Sequence, residues 1–163
     1  MPQKGFTLLE TMIAAAIMLL LVASSAKIFE TTVKTWQANY IKMQLQQNAR
    51  IAMDEITKNL LGASAATVVI DPAALPLNSK ITFQVIKDTG VSAHVYYLSG
   101  TTLVRQLNNV ISDLIPDVTD LDFTKENELY PGVEDFRCIH TKLVVERKTQ
   151  KITLEGYTHL RNE

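Results

Sequence analysis

The spacing of apolar and polar positions changes twice along the chain. Residues 6–26 are apolar without any period, and Glu10 is their only charge. Farther on, Ile41, Leu45, Ala49, Ala52, Ile56 and Leu60 recur three to four apart, the spacing of a helix that buries one stripe. Lys42, Gln46, Gln47, Arg50, Glu55 and Lys58 take the other faces. Between residues 6 and 61 there is neither glycine nor proline, the residues that most readily end a helix, and Gly62 is the first stop. One helix of about 55 residues, roughly 80 Å long, is the expected outcome. Trp36, Tyr40 and Met43 form a second apolar line on it, which either packs on its own domain or faces neighbouring subunits.

After Gly62 the period becomes that of strands. The β-branched run Thr67-Val68-Val69-Ile70 leads to Asp71-Pro72, and Ile81-Thr82-Phe83-Gln84-Val85 alternates as a half-buried strand does. Lys87-Asp88-Thr89-Gly90 is turn chemistry before a second strand over residues 91–98, and Ser99-Gly100 turns into a third over 102–107. An irregular section is expected next, then a strand over 117–124 bounded by Pro116, and a turn at Tyr130-Pro131-Gly132. Residues 138–147 and 152–160 read as two long strands joined at Lys148-Thr149-Gln150. The fold class is α+β: a long N-terminal helix laid on an antiparallel β-sheet, the arrangement that buries one helix stripe against one sheet face.

Residues 6–26 are long enough to cross about 30 Å of hydrocarbon as a helix. A carboxylate there costs on the order of 2.5–3.5 kcal/mol, so Glu10 needs a partner. A cut between Gly5 and Phe6 would create one, a new N-terminal amine. Two plainer readings compete. A secretory signal would use Lys4 as its basic region, Met12 to Val22 as apolar core and Ser24-Ser25-Ala26 as cleavage site, but it has no use for Glu10. A simple signal anchor would let Glu10 snorkel to the interface.

Gly5-Phe6-Thr7-Leu8-Leu9-Glu10 resembles the processing site of type IV pilins and pseudopilins. The resemblance implies that a prepilin peptidase cuts after Gly5 on the cytoplasmic side, that Phe6 is methylated, and that Glu10 neutralises the N-terminal amine of a neighbouring subunit. A buried pair of opposite charges is tolerable where a single one is not. It also implies a pilin-like fold, which agrees with the helix and strands read above. Domains are then a leader at 1–5, a transmembrane half-helix at 6–26, an amphipathic half-helix at 27–62 and an extracytoplasmic β-rich domain at 63–163. The helix end Asn48-Ala49-Arg50-Ile51-Ala52-Met53-Asp54-Glu55-Ile56-Thr57-Lys58-Asn59-Leu60 is similar to PilW-like minor pilins and J-type pseudopilins, as are Val95-Tyr96-Tyr97-Leu98, Leu103-Val104-Arg105-Gln106 and His159-Leu160-Arg161-Asn162. The chain departs from many such relatives in having no disulfide and no proline in the membrane helix, while the retained Glu10 argues against the K type.

A minor subunit that initiates or caps a type IV pilus or type II secretion pseudopilus is the function so implied. Its partners would be other major and minor pilins or pseudopilins, the prepilin peptidase and an inner-membrane assembly platform. It would sit in the inner membrane with its N-terminus cytoplasmic before entering the filament. The alternative is a monomeric anchored binding or sensory domain that uses the helix as a tether.

Composition adds limits. The 163 residues allow one modest domain plus an anchor, and a net charge of −1 offers nucleic acid no basic field. Cys138 is the only cysteine, so no internal disulfide forms. Between residues 113 and 135 eight residues are acidic and one, Lys125, is basic. Asp117, Asp120 and Asp122 are candidate oxygen ligands for calcium, although EF-hand spacing is lacking and a solvated face is the simpler reading. Cys138 and His140 share a strand face, with His94 and His159 elsewhere, but zinc needs three or four convergent ligands. Without a nucleophile elbow or another catalytic signature, an enzyme is not expected, and no cofactor is.

Overall fold

The computed structural model describes residues 7–74, 76–87, 90–126 and 137–160. The chain divides into two compact units, 1–40 and 41–163. A single helix, α1 (Leu8–Leu61), supplies all the described structure of the first unit beyond Thr7 and also begins the second. Gly62 ends it as expected: the amides of Gly62 and Ala63 donate to the carbonyls of Asn59 and Leu60 at 3.2 and 2.9 Å, tightening the last turn.

In the first unit nearly every described residue is exposed. The helix there is held by its own backbone and by local side-chain contacts. Ser24 and Ser25 donate their hydroxyls to the carbonyls of Leu20 and Leu21 at 2.6 and 2.8 Å, and Thr31, Thr32 and Thr35 likewise bond four residues back. Glu30 pairs with Lys27 at 3.1 Å and Lys34 at 2.5 Å, and these two ammonium groups hold its carboxyl below the usual range. Trp36 and Tyr40 stack with ring centroids 5.7 Å apart; Trp36 is 65% exposed, so this pair is not core.

The second unit is built on the expected stripe. Leu45, Ala49, Ala52, Ile56 and Leu60 are buried, and Ile41 packs against them at the margin. Small Ala49 and Ala52 let the helix backbone approach the strands. Met43, in contrast, remains exposed. A short 3₁₀ turn (Ala65–Thr67) precedes β1 (Val69–Ile70), so only the end of the β-branched run is strand. Then follow β2 (Lys80–Lys87), β3 (Gly90–Ser99), β4 (Thr102–Leu107), β5 (Val110–Ile115), β6 (Val118–Lys125), β7 (Cys138–Arg147) and β8 (Gln150–His159).

These strands form two antiparallel sheets, five-stranded β1-β2-β3-β4-β5 and three-stranded β6-β7-β8, where one sheet was the simplest expectation. The division falls at Pro116-Asp117, and Asp117 has a left-handed φ of 64° that turns the chain out of one sheet and into the other. Asp117 is therefore a corner residue and not the first residue of β6. The section expected to be irregular contains β5. It is joined to β4 through Asn108 and Asn109, with φ of 45° and 70°, the two positive values that a tight two-residue hairpin demands. Phe83, Tyr96, Leu103, Leu121, Phe123, Ile139 and Leu143 from both sheets meet the helix stripe in one core. Gly156 in β8 faces Met53 so closely that a Cβ would lie 3.1 Å from its methyl carbon. The turn at Tyr130-Pro131-Gly132 lies outside the described residues, as do Asp88 and Thr89.

Candidate functional site

Of the three residues expected to carry processing and assembly, Gly5 and Phe6 lie outside the described residues. Glu10 stands in the first turn of α1. Its Oε2 accepts hydrogen bonds from the Thr7 amide at 3.1 Å and the Thr7 hydroxyl at 3.2 Å. In return, Thr7 Oγ1 accepts from the Glu10 amide at 3.3 Å. This is a reciprocal capping box, in which the residue before the helix and the third residue inside it satisfy each other's backbone donors. The carboxylate also sits at the positive end of the helix dipole. Thr7 was missed as a functional partner, although Thr followed three residues later by Glu at a helix entrance is its signature.

Behind this cap runs a helix long and apolar enough to cross a membrane, with none of its most apolar window buried within the protein. The hydroxyls of Thr11, Ser24 and Ser25 in the apolar part of α1 are satisfied by carbonyls of the same helix, which removes most of their cost in hydrocarbon. An anionic, capped helix start followed by a self-satisfied apolar segment is suited to membrane residence and to meeting a cation at its head.

The candidate metal ligands are not gathered. Asp117 Oδ2 accepts two hydrogen bonds from Arg147, at 2.9 Å from Nε and 2.5 Å from Nη2. Arg147 Nη1 also reaches Gln44 Oε1 at 3.4 Å, and the Asp117 carbonyl accepts from the Glu146 amide at 2.8 Å. Asp117 thus pins the sheet corner to β7 and α1. Asp120 faces Lys142 at 3.8 Å. Cys138 is buried; His140 stacks on Tyr157 and lies 3.4 Å from Glu126; His94 stacks on Phe83; His159 is exposed. Among the described residues no group of three or more His, Cys, Asp or Glu side chains is placed to hold a metal ion.

Concavities lie along the sheets. One of about 650 Å³ is lined by Val68, Ile70, Pro72, Asn78 and Phe123 among others. Another, about 400 Å³, contains Asn59, Ser92, His94, Arg105 and Asn108. At its wall Arg105 Nη1 pairs with Glu55 Oε1 at 2.5 Å, and Asn59 Nδ2 donates to the Tyr96 hydroxyl at 2.7 Å. Burial, and then the charge of Glu55, push the Tyr96 phenol up to about 12. Ser92 Oγ lies 3.2 Å from His94 Nε2, two residues on in the same strand, and also within 3.4 Å of the Val85 carbonyl. These contacts tie the end of α1 to β3 and β4.

Residues 1–26 match the model of the prokaryotic N-terminal methylation motif. The match is confined to the first 26 residues, and it supports a type IV pilin or pseudopilin subunit. The motif implies processing by prepilin peptidase and association with pilins in general, and together with the apolar helix it supports membrane anchoring. The long helix packed on antiparallel sheets is the pilin-like architecture. No curated protein matches the chain.

Proposed function

We propose that this pilin-family chain is a minor pilin or pseudopilin, of the PilW-like or J type, that initiates or caps a type IV pilus or a type II secretion pseudopilus. Prepilin peptidase cuts between Gly5 and Phe6, and Phe6 is methylated. The mature helix then waits in the inner membrane, N-terminus toward the cytoplasm and sheets outside. On assembly the apolar segment exchanges lipid for neighbouring helices, and Glu10 meets the Phe6 amine of another subunit. The role is structural and needs no resident cofactor.

What carries this reading is Glu10: a single carboxylate, held by Thr7 at the head of an otherwise uncharged membrane-length helix directly after a Gly-Phe junction. A tether for a monomeric binding domain has no use for a charge there. The deciding measurement is the mass of the mature N-terminal peptide from purified membranes. A peptide beginning at methylated Phe6 is expected. One beginning at Met1 would favour the tether, and one beginning at Lys27 would mean that the helix itself is removed.

A further inference from the structure

The cavity of about 400 Å³ in the second unit lies where the last turn of α1 meets the start of β3 and the end of β4. Strand register explains why space is left there. β3 begins at Gly90, but β4 pairs with it only from His94 onward, so the first residues of β3 overhang their neighbour. Ser92, His94 and Tyr96 alternate onto one face of β3, and Arg105, directly opposite Tyr96, shares that face on β4. Asn59 comes down on the same face from α1, and Asn108 closes the far end as the chain turns away with a φ of 45°.

The walls are polar, and among the described residues lining the cavity Arg105 is the one permanently charged side chain and none is a carboxylate. Three of these residues have bonding capacity left over. Asn108 accepts the Ala93 amide on Oδ1 at 2.9 Å, which leaves its Nδ2 as a donor. Asn59 is the reverse. Its Nδ2 donates to the Glu55 carbonyl at 3.0 Å and the Tyr96 hydroxyl at 2.7 Å, which leaves Oδ1 as an acceptor. Arg105 donates from Nη1 to Glu55, while its Nε is closed to solvent and bonds to nothing in the protein. The N–H groups of Arg105 able to meet a ligand are therefore those of its terminal nitrogens.

A carboxylate is the natural partner of a guanidinium and an amide donor in a cavity without acidic walls. The leftover acceptor on Asn59 asks for a donor on the same molecule. A hydroxyl meets that need, whereas an ammonium would stand there with no counter-charge. We propose that this cavity binds a small hydroxycarboxylate, its carboxylate on Arg105 and Asn108 and its hydroxyl on Asn59. The site is independent of the filament role, since none of its residues belongs to the apolar half of α1.

The probe is lactate, titrated into the full-length chain in detergent and followed by ligand-observed NMR. Saturable binding with a Kd on the order of 1 mM is expected, a strength open to so small an acid. Methyl lactate keeps the hydroxyl and loses the charge, and should bind about tenfold more weakly or worse. Asn108→Asp still accepts the Ala93 amide and tolerates the left-handed turn, yet sets a negative charge beside the ligand. It should weaken lactate by about tenfold or more and leave the thermal midpoint of the ligand-free chain unchanged. Lactate that does not saturate, an ester as tight as the acid, or full affinity in Asn108→Asp would each overturn the proposal. So would inorganic phosphate binding as tightly as lactate, which would mark a general anion site. Should Asn108→Asp fail to accumulate, the comparison of acid with ester on the unaltered chain decides.

Discussion

Glu10 has one role in the structure and a second under the proposed function, and a single substitution can separate them. Its carboxylate closes the capping box with Thr7 through bonds of 3.1 and 3.2 Å, and under the proposed function its charge meets a cation inside the membrane. Alanine at position 10 removes both. Glutamine has the same reach and one carbonyl oxygen in place of the carboxylate, so Glu10→Gln keeps the box, whose loss costs about 0.5–2 kcal/mol. What glutamine lacks is the charge. A bare carboxylate in hydrocarbon costs on the order of 2.5–3.5 kcal/mol, and this cost is what favours leaving lipid for a site with an amine. Removing it lowers the preference for the filament by a factor of about a hundred. Both variants should be processed and accumulate in the membrane, and both should be depleted from sheared filaments when the two fractions are compared by immunoblot. Thr7→Ala, which loses only the cap, should be depleted far less. Normal incorporation of Glu10→Gln, with Glu10→Ala excluded, would refute charge pairing and leave helix capping as the role of this residue.

Other expectations concern processing and the second unit. Gly5→Ala should block maturation, seen as retention of residues 1–5 by mass spectrometry of membrane-extracted protein. Arg105→Met leaves the partly buried Glu55 without its partner beside Tyr96 and should cost about 1–3 kcal/mol in thermal unfolding. Because the Tyr96 phenol titrates near 12 in the fold and near 10 when unfolded, its contribution is complete below pH 10 and is lost as pH rises to about 12. The loss amounts to about 2–3 kcal/mol, and Tyr96→Phe should flatten this alkaline limb of a stability profile. Asp117→Ala should destabilise more than Asp117→Asn, since asparagine both tolerates the left-handed corner and still accepts from Arg147, a difference readable by urea unfolding.

The helix was legible because nothing between residues 6 and 61 can stop it and because its stripe keeps helical spacing. β2 to β4, β7 and β8 were legible from their alternation and turns. β5 was not: alternation reports one-sided burial, and Val110-Ile111 is exposed on both sides, while Asn108-Asn109 lacks the glycine that usually marks such a turn. The split into two sheets was hidden because strand pairing is decided by distant partners. Asp117 illustrates this, since its role depends on Arg147, 30 positions away, and no local pattern shows that the two meet. Glu10 stood out as a lone charge in an apolar run, and its bond to Thr7 was within reach of a known helix-start pattern.

The hydroxyls of Ser24, Ser25, Thr31, Thr32 and Thr35, each closed onto a carbonyl of its own helix, have a kinetic consequence. A segment whose polar groups are internally matched can change surroundings without breaking a bond along its shaft. Under the proposed function, moving from acyl chains to the flanks of other helices is then a change of packing along the shaft, and it can run in either direction. Among the described residues the Thr7–Glu10 head is where bonding would be renegotiated, which would concentrate the barrier to entry or release in the first turn of α1.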